Sequence, residues 1–389
     1  MSTILDRIER EAESVWSVLG HPRVRSIYFG GGTPSVLAPD LLDAFLPRFR
    51  RAIGLPESSA VEWSFEANPE STTEELLGVL GDHGVNRLSI GVQSFQNHLL
   101  GFLGRRADRS ASLLALERAS GHRDRIPHLS IDLMTGVPGQ TTADVQEDVR
   151  LAIAQGPDHI SLYSLTVEER TPLAQAVAVR PRLLPGTTAG ESLWLTASEL
   201  LQHESFAWYE ISNFARPGGE SVHNQGYWTL DPYVGLGPGA VSTIPAMPWS
   251  SSGEPTQAQV IRIKNPGLFL YKPGPTPFGW DDPGRETETI SPRDFLLEHF
   301  ITGLRTARGV SLSRIERVFG ARVVVSLGQI LREWETKGYL EAGLTAGSTR
   351  VAMVPEERLR LDRHLVALAG QIDQFESIDS VIWPPSPDS

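Results

Sequence analysis

Short β-rich runs alternate with helix-like stretches along the first half of this 389-residue chain, and this alternation constrains its fold more than any other feature. Strands and helices at such spacing are typical of βαβ units, which build a parallel sheet with right-handed crossovers. The pattern starts with an amphipathic helix at 3–19 and reaches a sixth strand candidate at Trp208–Ile211. The other strands are predicted at 24–29, 61–65, 86–92, 128–134 and 159–165, with helices at about 40–52, 72–81, 109–119, 142–155 and 187–204.

The second half has a different pattern. Gly and Pro crowd residues 216–283, which indicates a loop-rich connector with short strands. Helical periodicity returns at about 291, and the helices and β-like runs that follow suggest a small winged-helix-like unit. We therefore predict an incomplete barrel at 1–215, a connector at 216–288, a winged-helix-like domain at 289–365 and a tail at 366–389 whose end is disordered.

Composition and charge narrow the functional classes. A formal net charge of -12 argues against a nucleic-acid partner held mainly by phosphate contacts. The chain has no cysteine, so its own residues supply no thiolate nucleophile and no cysteine-ligated metal site. No apolar run approaches the roughly 20 residues of a transmembrane helix. The charged N-terminus has no apolar signal core, so we expect cytoplasmic residence and at most peripheral membrane contact.

Unusual residues lie where the predicted strands end. The turn Gly30–Pro34 follows the first strand, Glu66 follows the second, Gln93 follows the third, and Asp132 lies late in the fourth. In a βα barrel, such positions converge on one mouth and build the site. The glycines let backbone groups approach the ends of a small zwitterion, while the carboxylates and the amide suit ribose hydroxyls or an ammonium group. Arg105 supplies a partner for a carboxylate.

These residues belong to motifs that resemble, in chain order, those of the HemN/HemW family of radical-SAM proteins, which bind S-adenosyl-L-methionine (SAM). The motifs are YFGGGTPS at 28–35, EANP at 66–69, NRLSIGVQSF at 86–95, LGR at 103–105 and DLMTGVPGQT at 132–141. The resemblance implies a SAM pocket lined by Gly31, Gly32, Thr33, Glu66, Gln93, Arg105 and Asp132.

Two later segments are similar to segments of the HemW group, namely YEISNFARPG at 209–218 and an H-N-x-x-Y-W motif at 223–228. The second motif is connected with haem in that group, so the resemblance implies that His223, Tyr227 and Trp228 contact haem. Imidazole is a common ligand of haem iron. Tyr227 would bind iron or a propionate, and Trp228 would cover a porphyrin face. The alternative is that His223 closes a loop while Tyr227 and Trp228 pack against the barrel.

Members of this family begin with a strand and a C-x-x-x-C-x-x-C loop that holds a [4Fe–4S] cluster, whereas this sequence starts at the following helix. The resemblance therefore implies an α/β fold with a partial (β/α)6 radical-SAM-type barrel that lacks its first strand, which leaves the strand at 24–29 on an open edge. Without the cysteines no adenosyl radical would form, and SAM would bind more weakly. Either the start of the reading frame is misplaced or the chain is a degenerate paralogue, and the sequence does not separate the two.

Three functions follow from these patterns. The first is a HemW-like chaperone that binds haem and transfers it to acceptor proteins, respiratory proteins among them, without radical-SAM catalysis. The second is a [4Fe–4S]/SAM coproporphyrinogen III oxidase-like oxidoreductase, of which this sequence is a truncated record; it requires an upstream cysteine segment. The third is a DNA-binding regulator that uses arginines of segment 305–350, which the acidic charge of the chain opposes. We favour the first and expect no nucleic-acid partner.

Overall fold

The computed structural model describes residues 2–56, 60–245, 260–267, 284–341, 349–373, 375, 378 and 381–383. The described residues form two compact units. The barrel unit comprises those of Val24–Pro47 and Glu57–His223, and the terminal unit comprises those of Met1–Arg23, Arg48–Pro56 and Asn224–Ser389. The domain boundaries expected from the sequence stay predictions.

A seven-stranded sheet forms the barrel unit, with the strand order β1-β2-β3-β4-β5-β7-β6 and β1 at one edge. Strands β1 to β5 are parallel and lie close to the predicted runs, so the expected α/β fold with a curled, partial barrel is confirmed. The strands are β1 (Ser26–Phe29), β2 (Glu62–Ala67), β3 (Arg87–Gln93), β4 (His128–Thr135), β5 (His159–Ser164), β6 (Ala207–Glu210) and β7 (Asn213–Ala215).

The sixth strand candidate, β6, runs in the same direction as β5, as expected, but the short strand β7 lies between the two. Strand β6 pairs antiparallel with β7, and β7 pairs antiparallel with β5. Only Ile211 and Ser212 separate β6 from β7. A parallel crossover needs a dozen or more residues, whereas a two-residue link reverses the chain into a hairpin.

The helices that lie in the first 203 residues are α1 (Ser2–Val18), α2 (Pro39–Ala52), α3 (Glu74–Asp82), α4 (Asn97–Phe102), α5 (Arg109–Gly121), α6 (Thr142–Ala154), α7 (Pro172–Val179) and α8 (Thr187–His203). Several begin at a side-chain cap, which satisfies free amides of the first turn. Thr73 caps α3, Asp108 caps α5, and Thr141 forms a capping box with Asp144 at α6.

The terminal unit contains short strands and a helical core. Its described strands are β8 (Val241–Pro245), β9 (Val260–Lys264), β10 (Glu286–Ile290), β11 (Val310–Ser311) and β12 (Arg350–Val351). Its later helices are α10 (Pro292–Gly303), α11 (Leu312–Phe319), α12 (Ala321–Thr336), α13 (Pro355–Arg358) and α14 (Leu361–Ile372), whose buried side chains include Leu296, Phe300, Leu327, Trp334 and Leu368. Leu340 and Met353 form a single antiparallel bridge in this unit.

The segment predicted as an irregular connector contains a helix, α9 (Val222–Trp228), which carries the H-N-x-x-Y-W motif. Gly226 lies inside it, and the surrounding Gly and Pro residues conceal the helical period in the sequence. The expected disorder at the end of the tail, 384–389, lies outside the described residues. None of the described helices has the length and apolarity to span a bilayer.

Candidate functional site

The inner face of the barrel sheet is polar, because side chains alternate between the two faces of each strand. Apolar residues such as Trp63, Phe65 and Ile131 are buried on the opposite face. The register sets Glu66 beside Ser89 and Gly91 beside Asp132. The polar face consists of Ser26, Tyr28, Glu62, Ser64, Glu66, Arg87, Ser89, Ser130, Asp132, His159 and Ser161. The predicted site residues of β2 and β4 therefore share one surface.

The three glycines after β1 differ in what requires them. A Cβ at Gly30 would contact Tyr28 and would lie 2.7 Å from Glu66 Cδ, so a larger residue there would displace the ends of these two side chains. Gly31 has a φ of 80°, which favours glycine for conformational reasons. A Cβ at Gly31 or Gly32 meets nothing within 4 Å. These two exposed positions of the predicted SAM pocket therefore border open space.

Asn68 joins three of the strand-end segments through its side-chain amide. Its Nδ2 donates to Thr33 Oγ1 at 3.3 Å, and its Oδ1 accepts from Arg105 Nη2 at 3.2 Å. The same Arg105 nitrogen also donates to the carbonyl of Gly91. Arg105, which we expected to face a ligand carboxylate, thus contacts main-chain and amide oxygens of the protein. This network brings Thr33 and Arg105 together.

Gln93 has a backbone conformation that is rare outside glycine. Its φ is 68°, and the amide of Ser94 donates to the carbonyl of Val92 at 2.8 Å, which closes a strained γ-turn around Gln93. Asp148 of α6 fixes the following residues, because its carboxylate accepts from the Ser94 hydroxyl and the Phe95 amide, both at 2.7 Å. Strain of this kind concentrates at binding sites.

The polar face carries two carboxylates, those of Asp132 and Glu66, whose negative charges repel each other. Asp132 accepts from the Ser89 hydroxyl at 3.0 Å. Burial, reinforced by the nearby charge of Glu66, raises the pKa of Asp132 to about 6, despite hydrogen bonds from Ser161 and Ser89 that favour ionisation. Glu66 accepts a hydrogen bond from the hydroxyl of Tyr28. Burial and the charge of Glu66 both raise the pKa of Tyr28, so this phenol stays protonated.

Helix α9 begins on a buried ion pair of the barrel unit. The Glu62 carboxylate accepts from the main-chain amides of Val222 and His223, both at 2.9 Å, and from the Ser221 hydroxyl at 3.1 Å. Arg87 Nε donates to the same carboxylate at 2.9 Å, and both side chains are almost fully buried. A negative charge at a helix N-terminus satisfies free amides there, so Glu62 fixes the main chain that carries His223.

The imidazole of His223 packs against the first strand. It stacks on the Tyr28 ring with a centroid distance of 4.6 Å and an angle of 11° between the ring planes. Its Nδ1 lies 3.3 Å from Ser26 Oγ. Burial lowers the pKa of His223 to about 4, against the opposing effect of Glu62. The imidazole is therefore neutral at pH 7, which is the form that binds iron.

Tyr227 and Trp228 lie further along α9, in the terminal unit. Tyr227 packs edge-on against Tyr233, with a centroid distance of 4.6 Å. Its side chain is still 42% exposed, while Trp228 is half-buried. Burial and the neighbouring Tyr233 raise the pKa of Tyr227 to about 12. The phenol is therefore protonated at neutral pH, which favours a hydrogen bond to a propionate over iron ligation.

Comparison with known proteins shows which family the chain belongs to. "Heme chaperone HemW" of Bacillus subtilis is 31% identical over 337 residues, which cover 86% of this chain and 84% of the relative. "Heme chaperone HemW" of Synechocystis is 34% identical over 302 residues, which cover 77% and 68% respectively. The model of the Radical SAM superfamily matches residues 4–152, and that of the HemN C-terminal domain matches residues 290–343. The chain belongs to the HemW family.

The fold agrees with this membership. The solved structure "Coproporphyrinogen III oxidase (HemN) from Escherichia coli is a Radical SAM enzyme" superposes with a TM-score of 0.71 and covers 96% of this HemW-family chain and 83% of its own. At 19% identity this likeness shows the fold alone. The family resemblance expected from the motifs is therefore confirmed, as is the radical-SAM-type character of the sheet.

The donor set does not fit a [4Fe–4S] cluster, although the HemW family belongs to the radical-SAM superfamily. Such a cluster is held by thiolates, and the 389 residues contain no cysteine. Among the described ranges, no group of three or more His, Asp or Glu side chains is arranged to hold a metal ion. No step of the chemistry is therefore assigned to a cluster.

Sequence reasoning missed four residues that form the surroundings of His223 in this HemW-family chain. They are Ser26, Tyr28, Glu62 and Arg87. Tyr28 was part of a recognised motif, but its contact with His223 joins residues 195 positions apart, which no local pattern reports. One local signal pointed to Glu62 and Arg87: each begins a strand in which every second residue is apolar and buried, and a charged residue at such a place needs a partner.

Proposed function

We propose that the chain is a haem chaperone that binds haem through His223 and passes it to acceptor proteins. The observation that carries the proposal is the placement of a neutral imidazole on a helix whose first turn is fixed by the buried Glu62–Arg87 pair. An axial ligand needs this fixed orientation, because residues around a ligating histidine set its ring position and its affinity for iron. The relatives named heme chaperone support haem as the cargo.

We infer supporting roles for two further residues of α9. The phenol of Tyr227 would donate a hydrogen bond to a haem propionate, and Trp228 would cover part of the porphyrin face. Tyr227 remains protonated and partly exposed, which suits that contact. Acceptor proteins are proposed to include respiratory haem proteins, and their identity and the cytoplasmic residence of the chain stay predictions.

We also propose that SAM occupies the strand-end pocket without being cleaved. Gly31 and Gly32 border open space, while Glu66, Gln93 and Asp132 supply acceptors and an amide on the same mouth. These groups suit the ammonium and hydroxyl groups of SAM. Thr33 and Arg105 would hold the pocket in shape through Asn68. Binding and transfer, rather than radical catalysis, are the activities that the residues of this chain support.

Titration of the purified chain with haemin tests haem binding. We expect a shifted Soret band at micromolar haemin, and His223→Ala should weaken binding by roughly tenfold or more, because an iron ligand is lost. His203→Ala is the matched control, since the His203 side chain is 83% exposed at the end of α8. A wild-type chain that leaves the haemin spectrum unchanged would contradict the proposal.

Transfer needs a separate measurement. The haem-loaded chain is mixed with an apo b-type cytochrome, and the rate of appearance of the cytochrome spectrum is followed. A chaperone that hands over haem in a complex gives a rate that rises with acceptor concentration, whereas simple release gives a rate that does not. A rate that does not depend on acceptor concentration would show that the chain binds haem but does not act as a chaperone.

A further inference from the structure

Tyr28 contacts both halves of the candidate site within the barrel unit. Its ring stacks on the imidazole of His223, and its hydroxyl donates to Glu66 at the strand-end mouth. Both contacts arise from the third residue of a short edge strand. The haem ligand and the SAM pocket, which the sequence motifs keep apart, are therefore joined through a single side chain.

Gly30 gives independent support for the importance of this link. Any Cβ at Gly30 would collide with the Tyr28 ring and with the Glu66 carboxylate. The φ of Gly30 is outside the left-handed region, so the conformation itself does not demand glycine. The absence of a Cβ at Gly30 instead leaves the space that the Tyr28–Glu66 contact occupies.

We propose that Tyr28 is the positioning residue of the haem ligand: its ring sets the plane of the His223 imidazole, and the hydrogen bond to Glu66 fixes that ring. The carboxylate of Glu66 holds the hydroxyl end of the ring in place. Because a phenolic O–H prefers to lie in the plane of its ring, the position of the Glu66 oxygen also favours one orientation of that plane. The imidazole plane follows because the two rings are nearly parallel. This inference rests on haem binding at His223.

A double-mutant cycle on haemin affinity tests the link. Tyr28→Phe keeps the ring and removes the hydroxyl, while Glu66→Gln keeps the size and removes the charge. Each is expected to weaken haemin binding roughly 3- to 10-fold, which is less than the full worth of a charge-assisted hydrogen bond, because the bond acts on haem only through the orientation of the ring. The double variant should bind no more weakly than Tyr28→Phe alone, because Tyr28→Phe already removes the bond that Glu66→Gln only weakens.

Two further variants test the contact in other ways. One separates the effect of the stacked ring from that of the hydroxyl group, and the other disturbs the Tyr28–Glu66 contact without changing either residue. Tyr28→Leu removes the stacking surface and should bind haemin more weakly than Tyr28→Phe. Gly30→Ala should reproduce the Tyr28→Phe defect without changing either partner. Gly101→Ala and Tyr339→Phe are the controls: the first adds a Cβ in open space, and the second alters a tyrosine that also packs on a histidine ring, His364, in the terminal unit.

The readout that distinguishes positioning from mere stability is the electron paramagnetic resonance spectrum of the ferric complex, which responds to the orientation of the axial imidazole. We expect altered g-values in Tyr28→Phe and Glu66→Gln at a temperature at which circular dichroism shows both variants to be fully folded. Wild-type spectra and affinity in both variants, or losses that multiply in the double variant, would overturn the inference. Failure of the wild type to bind haemin would instead refute the proposed function.

Discussion

Asp132 ionises at a cost, because burial and the charge of Glu66 act against its carboxylate. Its pKa in the folded chain is about 6, above the ordinary value of 3.8. A raised folded-state pKa means that the stability contributed by the protonated group is fully present below about pH 4 and is lost as the pH rises through 6. The hydroxyls of Ser89 and Ser161 limit this cost without cancelling it.

The variant Asp132→Asn should therefore gain stability relative to the wild type as the pH rises. Between pH 4 and pH 8 the gain should grow by roughly 3 kcal/mol at most, the free energy that corresponds to the pKa shift. Urea unfolding of both chains across this range measures the gain, and subtraction removes the contribution of groups that titrate alike in both, His223 among them. A difference independent of pH would show that Asp132 is not perturbed.

Gln93 combines backbone strain with a place in the proposed SAM pocket. Gln93→Gly should raise the free energy of unfolding by up to about 1 kcal/mol, since glycine adopts a positive φ without strain. The same change should weaken SAM binding because the side-chain amide is lost, as isothermal titration calorimetry would show. Ser205→Gly is the control: its φ is 66° in an exposed turn, so it should gain similar stability with SAM binding unchanged.

At this scale the sequence identified the residues of the strand ends but not the contacts between them. Gly31, Glu66 and Asp132 were recognisable because unusual residues stand out after apolar runs. The role of Tyr28 was not, because it depends on His223, which is distant in sequence. The conformation of Gln93 was also hidden, since nothing in a glutamine signals a positive φ.

Helix α9 is stabilised by tertiary contacts, and its local sequence does not predict a helix. Short helices are marginal in water, and this one contains Gly226. The Glu62 carboxylate compensates by accepting from the first amides of the helix. By contrast, β1 to β5 were predictable because period-two alternation and terminal glycines are local signals. The antiparallel hairpin of β6 and β7 was not, because β7 comprises only three residues.

Glu62→Gln should destabilise the barrel unit by about 3 kcal/mol, because it leaves the buried Arg87 guanidinium without its carboxylate. Haemin affinity should fall as well, since the first turn of α9 loses its charged acceptor. Glu286→Gln is the control, because Glu286 pairs with Lys264 and both side chains are more than half exposed. If the two variants had equal unfolding midpoints, α9 would not depend on the buried pair.

A second buried ion pair, between Glu11 and Arg285, lies in the terminal unit. Glu11 of α1 accepts from the Gly237 amide at 2.9 Å, from Asn265 Nδ2 at 2.8 Å and from Arg285 Nη2 at 2.8 Å. The side chains of Glu11 and Arg285 are almost inaccessible to solvent. One carboxylate thus joins the N-terminal helix to segments more than 220 residues away. From the sequence only an amphipathic helix could be predicted here, because contacts at that separation leave no periodic pattern.

The two buried pairs should stabilise different units, so their loss should be separable by hydrogen exchange. Glu11→Gln removes the buried charge that accepts from Arg285 and should cost about 3 kcal/mol in the terminal unit. Amides of β8, β9 and α10 should then exchange faster, while those of β2 to β5 keep the wild-type rate. Glu13→Gln is the control on the same helix, because Glu13 is exposed. Equal acceleration in both units would mean that the chain unfolds as one cooperative body, and the assignment of α1 to the terminal unit would then carry no energetic meaning.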